Sequence, residues 1–243
     1  MVIMMTIEEK LTSFDKNQIL HRDDLYQLIR TFYPSYKDSS IRWVIYRLVR
    51  AGIISKLNST KYIIGKKNTY QQQSSSDERD KIISALDKTF PNIRVVVYES
   101  TLLNEWVNHQ IARRVIFIES EKYFINDVFR YIYNRISTKV LLNPKKEDLY
   151  MYDGDLIIVT QLISQAPINL KKKDIKVEKL IVDLYTKDLI TEFISDDEKE
   201  DVVEALFKTY PVNVKTIYAY SKRRNNLNTI KAVISNYKLG VIL

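Results

Sequence analysis

Residues 22–64 carry two apolar stripes of helical period, parted by a proline and followed by two short β-branched runs, and few folds accommodate that order. Leu25, Leu28, Ile29 and Phe32 recur at i, i+3, i+4 and i+7 over residues 23–32, one face of an amphipathic helix. Pro34 breaks the chain, and Asp38 or Ser39 can cap a second helix that runs to about residue 51. Within it Ile41, Val44, Ile45 and Leu48 form the inward stripe, and the opposite face collects Ser39, Trp43, Tyr46, Arg47 and Arg50. Gly52 suits the helix stop, and residues 53–56 and 61–64 read as two short strands around Asn58, Ser59 and Thr60. Helix, turn, helix and hairpin with an aromatic and basic outer face predict a winged helix-turn-helix whose second helix suits a DNA major groove. Candidate groove contacts are Ser39, Ser40, Arg42, Trp43, Tyr46, Arg47 and Arg50. Lys56, Asn58, Ser59, Thr60 and Lys61 are candidates for a wing on the minor groove or backbone.

Charge strengthens this expectation. Residues 1–70 hold 12 Lys and Arg against 6 Asp and Glu, whereas the whole chain holds 38 against 30 for a net +8. Most of the positive excess therefore sits on less than a third of the chain, where it attracts phosphates through counterion release. An Arg-rich helix face is also the ordinary solvated surface of many interaction modules, so composition alone does not name the partner.

A chain of 243 residues can hold one large domain or two modest ones. No apolar run reaches transmembrane length, and the N-terminal Met-Val-Ile-Met-Met is too short for a signal peptide. Zero cysteines remove disulfides, thiolate metal sites and cysteine nucleophiles, and two histidines, His21 and His109, make a histidine-rich metal centre improbable. The expectation is a soluble cytoplasmic protein without cofactor, with no membrane among its partners.

The stretch Gln71-Gln72-Gln73-Ser74-Ser75-Ser76 lacks apolar periodicity and reads as part of a linker over residues 69–79. It separates a winged-helix domain over residues 1–68, opening with a helix at 7–14 and a short strand or turn at 18–20, from a second domain over 80–243. There, helical pattern at 79–89, 101–110 and 123–135 alternates with strand pattern at 93–98, 115–118, 139–142 and 156–159. From residue 174 four apolar stripes predict helices, Pro211 parting the second from the third. The expected class is α+β, with a mixed α/β C-terminal domain ending in a helical subdomain.

Several constellations bear on chemistry. Asp153-Gly154-Asp155 before a strand could belong to a nucleotidyltransferase metal site, but no Gly-Ser turn precedes it; the four glycines stand at 52, 65, 154 and 240. Glu119 and Lys122, with Glu99 on the preceding strand, could form a degenerate nuclease-type site, although neither Glu119 nor Glu121 has the one-residue spacing to the lysine. No phosphate-binding Gly-Lys-Ser/Thr loop or GxGxxG occurs. His109 could pair with Glu105 one turn earlier. Lys171-Lys172-Lys173 reads as a solvated loop, and Lys222-Arg223-Arg224 as cations at a helix end. The balance favours a non-enzymatic protein, with a winged-helix-targeted nuclease-like or nucleotidyltransferase-like enzyme, or a protein-interaction module, as the alternatives.

Three segments together resemble the AbiEi-type family of bacterial antitoxins and transcriptional regulators. They are Ser39-Ser40-Ile41-Arg42-Trp43-Val44-Ile45-Tyr46-Arg47-Leu48 with Ala51-Gly52-Ile53-Ile54, then Val177-Glu178-Lys179-Leu180-Ile181-Val182-Asp183-Leu184, then Tyr218-Ala219-Tyr220-Ser221-Lys222-Arg223-Arg224. The resemblance implies a DNA-binding N-terminal domain and a C-terminal domain needed for antitoxin action in a type IV toxin–antitoxin operon. It further implies a nucleotidyltransferase-like toxin encoded nearby, without obligatory direct contact, and repression of the shared promoter through inverted repeats. A homodimer would match paired half-sites.

Overall fold

The computed structural model describes residues 5–15, 18–56, 60–65, 70, 72, 76–186 and 188–236. It is a mixed α+β protein dividing into two compact units. One comprises Met1–Thr69, Thr209–Asn213 and Ile234–Leu243, the other Tyr70–Lys208 and Val214–Val233. Among the described residues no helix is long and apolar enough to cross a membrane.

The first unit opens with α1 (Ile7–Thr12), begun by a reciprocal cap: Glu9 N–H donates to Thr6 Oγ1 at 3.2 Å and Thr6 N–H to Glu9 Oε2 at 2.7 Å. Strand β1 (Ile19–His21) leads into α2 (Arg22–Phe32), and α3 (Asp38–Arg50) follows the Pro34 turn. Arg30 in the last turn of α2 meets Asp38 in the first turn of α3 at 2.7 Å, each charge also opposing the local helix dipole. Helix α3 ends on Gly52 at φ +72°, with Gly52 N–H bonded to the Val49 carbonyl at 3.0 Å and Ile53 N–H to that of Leu48 at 3.1 Å. That paired closure needs a left-handed residue, which glycine supplies without strain.

Strands β2 (Ile54–Lys56) and β3 (Lys61–Ile64) complete an antiparallel sheet in the order β1-β3-β2. Ile7, Leu11, Leu25, Ile29, Ile41, Val44, Leu48 and Ile54 pack into one core with Tyr62 and Ile64. The stripes legible in the sequence are thus the residues that meet. Helix α1 is shorter than the 7–14 pattern suggested; Phe14 stays packed on the core beyond its end.

The second unit begins with α4 (Asp77–Thr89), capped by Ser76, whose Oγ accepts from Arg79 N–H at 3.1 Å. Strands β4 (Val95–Glu99), β5 (Val115–Ser120), β6 (Val140–Leu142) and β7 (Leu156–Gln161), with α5 (Ile125–Arg135) between β5 and β6, form a sheet ordered β4-β5-β7-β6. Only the β4–β5 pairing is antiparallel. One face, carrying Val95, Val97, Ile116, Ile118, Ile157 and Val159, packs on Ile82 and Leu86 of α4 and on Val128 and Ile132 of α5.

Two-residue strands β8 (Ile168–Asn169) and β9 (Asp174–Ile175) pair with each other, and Val97 N–H donates to the Lys173 carbonyl at 2.9 Å, occupying the outer edge of β4. Helices α6 (Val177–Asp183), α7 (Asp188–Thr191), α8 (Asp196–Thr209), α9 (Val214–Arg223) and α10 (Leu227–Asn236) follow, and α6 packs on α9.

One element differs in kind from its pattern. The helix expected over residues 101–110 is a 3-10 turn at Ser100–Glu105 followed by irregular chain. Asn104 Oδ1 takes the N–H of Ile111 at 2.8 Å, so a side chain closes the segment where a helical ladder would have continued it.

Candidate nucleic-acid interface

Helix α3 buries Ile41, Val44, Ile45 and Leu48, and therefore turns Ser39, Arg42, Trp43, Tyr46, Arg47 and Arg50 to the surface. Trp43 and Tyr46 are about three-fifths exposed, at 60% and 62%, although exposing a large ring forgoes the gain of burying it. Arg47 is held twice: its guanidinium stacks over the Trp43 ring at 5.5 Å and its Nη2 lies 2.7 Å from Glu8 Oε1 on α1. Trp43 is thus engaged with Arg47 on the exposed face. Arg42 and Arg50 form no ion pair among the described residues. Ser40 is half-buried beside this face.

The hairpin is less uniform. Lys56 is exposed and Thr60 half-buried, while Asn58 and Ser59 lie outside the described residues. Lys61, expected as an exposed wing cation, is buried on β3 opposite His21.

The acids considered for nuclease chemistry do not converge. In the β4–β5 register Glu99 pairs with Ile116 and Glu119 with Val96, so strand alternation puts Glu99 on the face packed by α4 and Glu119 on the other. Glu99 accepts hydrogen bonds from both the backbone and hydroxyl of Ser76 at the start of α4, and Lys122 is exposed in the turn after β5. Asp155 is engaged by Arg114 at 2.7 Å, and Arg113 donates to the carbonyls of Gly154 and Tyr152 at 3.0 and 2.7 Å, which makes residues 152–155 a braced turn. His109 pairs with Glu198 on α8 at 2.7 Å, not with Glu105. Among the described residues no group of three or more acids and histidines is arranged to hold a metal ion.

Glu119 belongs instead to a dry network. Lys179 of α6 donates to Glu119 at 3.0 Å and to Asp183 one helical turn on, and its ammonium is fully buried. Tyr98 OH donates to Glu119 at 2.6 Å, and Tyr220 OH of α9 to Asp183 at 3.0 Å. The Lys179 ammonium also lies 5.3 Å from the Tyr98 ring centroid and 5.8 Å from that of Tyr220. Desolvation pulls its pKa down, but Asp183 and Glu119 outweigh that and hold it above the usual lysine value. Burial, with the neighbouring carboxylates, pushes both tyrosines up.

The apolar stripe over residues 177–184 predicts a core helix, and its spacing does not reveal this network. The network's legible signal is Lys179 and Asp183 at i, i+4 beside the apolar Val177, Leu180, Ile181, Val182 and Leu184, and α6 is buried on every side. Arg224, set aside as a helix-end cation, instead bonds Thr186 through Nε at 3.1 Å and the Thr186 carbonyl through Nη2 at 2.9 Å. Lys173 of the lysine run is likewise buried and pairs with Asp87 at 2.9 Å.

Residues 40–239 match the family of unknown function DUF6577. The chain belongs to that family. The DUF6577 match covers α3, the four-stranded sheet and the buried network alike. No curated protein sequence matches the chain. Among solved structures, the crystal structure of the RV2827C protein from Mycobacterium tuberculosis is similar over 97% of this chain and 81% of that one, at 12% identity and a TM-score of 0.22.

Proposed function

We propose that this protein is a non-enzymatic, sequence-specific binder of double-stranded DNA, acting as a cytoplasmic transcriptional regulator. The observation that carries the reading is the outer face of α3, where Arg42, Trp43, Tyr46, Arg47 and Arg50 stand together over a helix whose other side is core. The order of α1, β1, α2, α3 and the β2–β3 hairpin supports a winged helix-turn-helix, with α3 as the recognition helix. Arginines on such a face can read guanine through a two-bond fork, and Lys56 contacts phosphate. The resemblance to AbiEi-type regulators extends the reading to a type IV antitoxin that represses its own promoter as a homodimer on inverted repeats. The toxin would be a nucleotidyltransferase-like protein encoded nearby.

The test is a titration of the full chain against duplex DNA from upstream of its own gene and against random duplex, at several salt concentrations. Preferential binding to the upstream DNA with a steep salt dependence is the expected result. Equal, weak binding to both duplexes would overturn the regulatory reading. For the antitoxin step, expression of the protein should relieve growth arrest caused by the neighbouring toxin, and unrelieved arrest removes that part alone.

A further inference from the structure

A cavity of about 610 Å³ opens beyond the carboxyl ends of the parallel strands β5, β6 and β7. Its walls include Glu119 and Thr160 at neighbouring register positions of β5 and β7, Asn143 just past β6, Lys145, Asp183 and Arg224. In open α/β sheets this is where ligands settle, because the chain leaves the strands toward opposite sides of the sheet and parts there. Here β5 continues through α5, packed on one face, while residues 145–147, after β6, border the cavity on the side of Glu119. The volume falls within the roughly 300–1,000 Å³ of small-molecule sites.

The polar groups of this cavity are unequally committed. Glu119 and Asp183 already accept from the buried Lys179, Tyr98 and Tyr220, and Arg224 adds a second positive charge beside Asp183. Lys146 pairs with Glu192 at 2.6 Å. The backbone N–H of Lys145 donates to Asp148 at 2.8 Å, but its ammonium forms no ion pair among the described residues. The guanidinium of Arg224 is oriented by its two bonds to Thr186 and pairs with Asp183 at 3.9 Å, and its Nη1 edge makes no hydrogen bond among the described residues. The side chains of Asn143, Thr160 and Gln161 likewise make no hydrogen bond among the described residues. Glu147, exposed, is a lining carboxylate with no ion pair among the described residues; the donors left over are the Arg224 Nη1 edge and the Lys145 ammonium, and a planar guanidinium with an ammonium beside amide groups matches a carboxylate or phosphate.

We propose that this cavity binds a small molecule bearing a carboxylate or phosphate, held by Arg224 and Lys145, with Asn143, Thr160 and Gln161 bonding its polar body. The site draws on no residue of α3.

The experiment is calorimetric titration of the full chain with glycerol 3-phosphate and, separately, with succinate, at ionic strength matched by sodium chloride and without DNA. Saturable binding of one of them with Kd below about 1 mM is expected, and which one binds tells phosphate from carboxylate recognition. Lys145→Glu and Arg224→Lys should each weaken it by about tenfold or more, the loss of one charge-assisted hydrogen bond. Lys145 is exposed, so Lys145→Glu should keep the melting temperature of the unliganded protein and serve where Arg224→Lys fails to fold. Absence of saturation with both probes up to about 10 mM, or binding unchanged in both variants, overturns the proposal.

Discussion

Lys179 on α6 and Glu119 on β5 are joined across 3.0 Å, with neither side chain reaching solvent beyond a trace. A charge at that depth is tolerable only because it is paired and hydrogen-bonded, and here one ammonium serves two carboxylates. The pairing ties the buried helix α6 to β5 of the sheet.

Lys179→Met should destabilise the protein by about 3–5 kcal/mol, since it leaves Glu119 buried without a counter-charge and Asp183 with Arg224 alone, at 3.9 Å. The triple variant Lys179→Met, Glu119→Gln, Asp183→Asn should recover much of that loss, because no buried carboxylate remains without its ammonium. Urea unfolding of the three proteins checks this; a triple variant no more stable than Lys179→Met would show that the charges are not the cause.

Stability should fall at alkaline pH. Tyr98, Tyr220 and Lys179 all have folded-state pKa values above their ordinary 10.0 and 10.5, so the folded protein holds their protons more tightly than the unfolded chain does. Their contribution is therefore complete below about pH 10 and is lost as the pH rises above it. Tyrosinate absorbance followed together with circular dichroism tests the assignment. Some tyrosine should ionise only as the fold is lost, and ionisation of every tyrosine in the intact fold would refute it.

Arg42→Ala and Arg50→Ala should each cost about 1–3 kcal/mol of specific DNA affinity if they read a base, or lower the salt slope by about 1 if they contact phosphate. Glu8→Gln should instead tighten DNA binding, because it frees Arg47 from its 2.7 Å ion pair and removes a negative charge beside the proposed groove contact. Fluorescence anisotropy at matched salt distinguishes these outcomes. Weaker binding of Glu8→Gln would mean that Glu8 positions Arg47 for DNA.

Gly52→Ala should destabilise the first unit by about 1–2 kcal/mol, the strain of a side chain in the left-handed region that closes α3. Leu48→Ala, at the core side of the same turn, should cost about 2–5 kcal/mol through the cavity it leaves. Both are read by thermal or chemical denaturation, and a neutral Gly52→Ala would mean that the turn relaxes to another closure.

Local chemistry made much of the first unit legible. The i, i+3, i+4 stripes of α2 and α3, Pro34 between them and Gly52 after them act within a few residues, so their structural consequence is written in sequence spacing. The exposed face of α3 followed from the same spacing, since a helix that buries Ile41, Val44 and Leu48 must turn Trp43 and Arg47 outward. Beyond that reach the sequence was silent. Glu99 and Glu119 looked like partners until the β4–β5 register put them on opposite faces, and register is a property of two strands. Lys179 and Asp183 look like an ordinary surface pair; only the docking of α6 between the sheet and α9 removes them from water and makes Glu119, Tyr98 and Tyr220 their partners. Periodicity determines which face a segment must bury, and tertiary packing alone decides which distant groups share the dry space behind it.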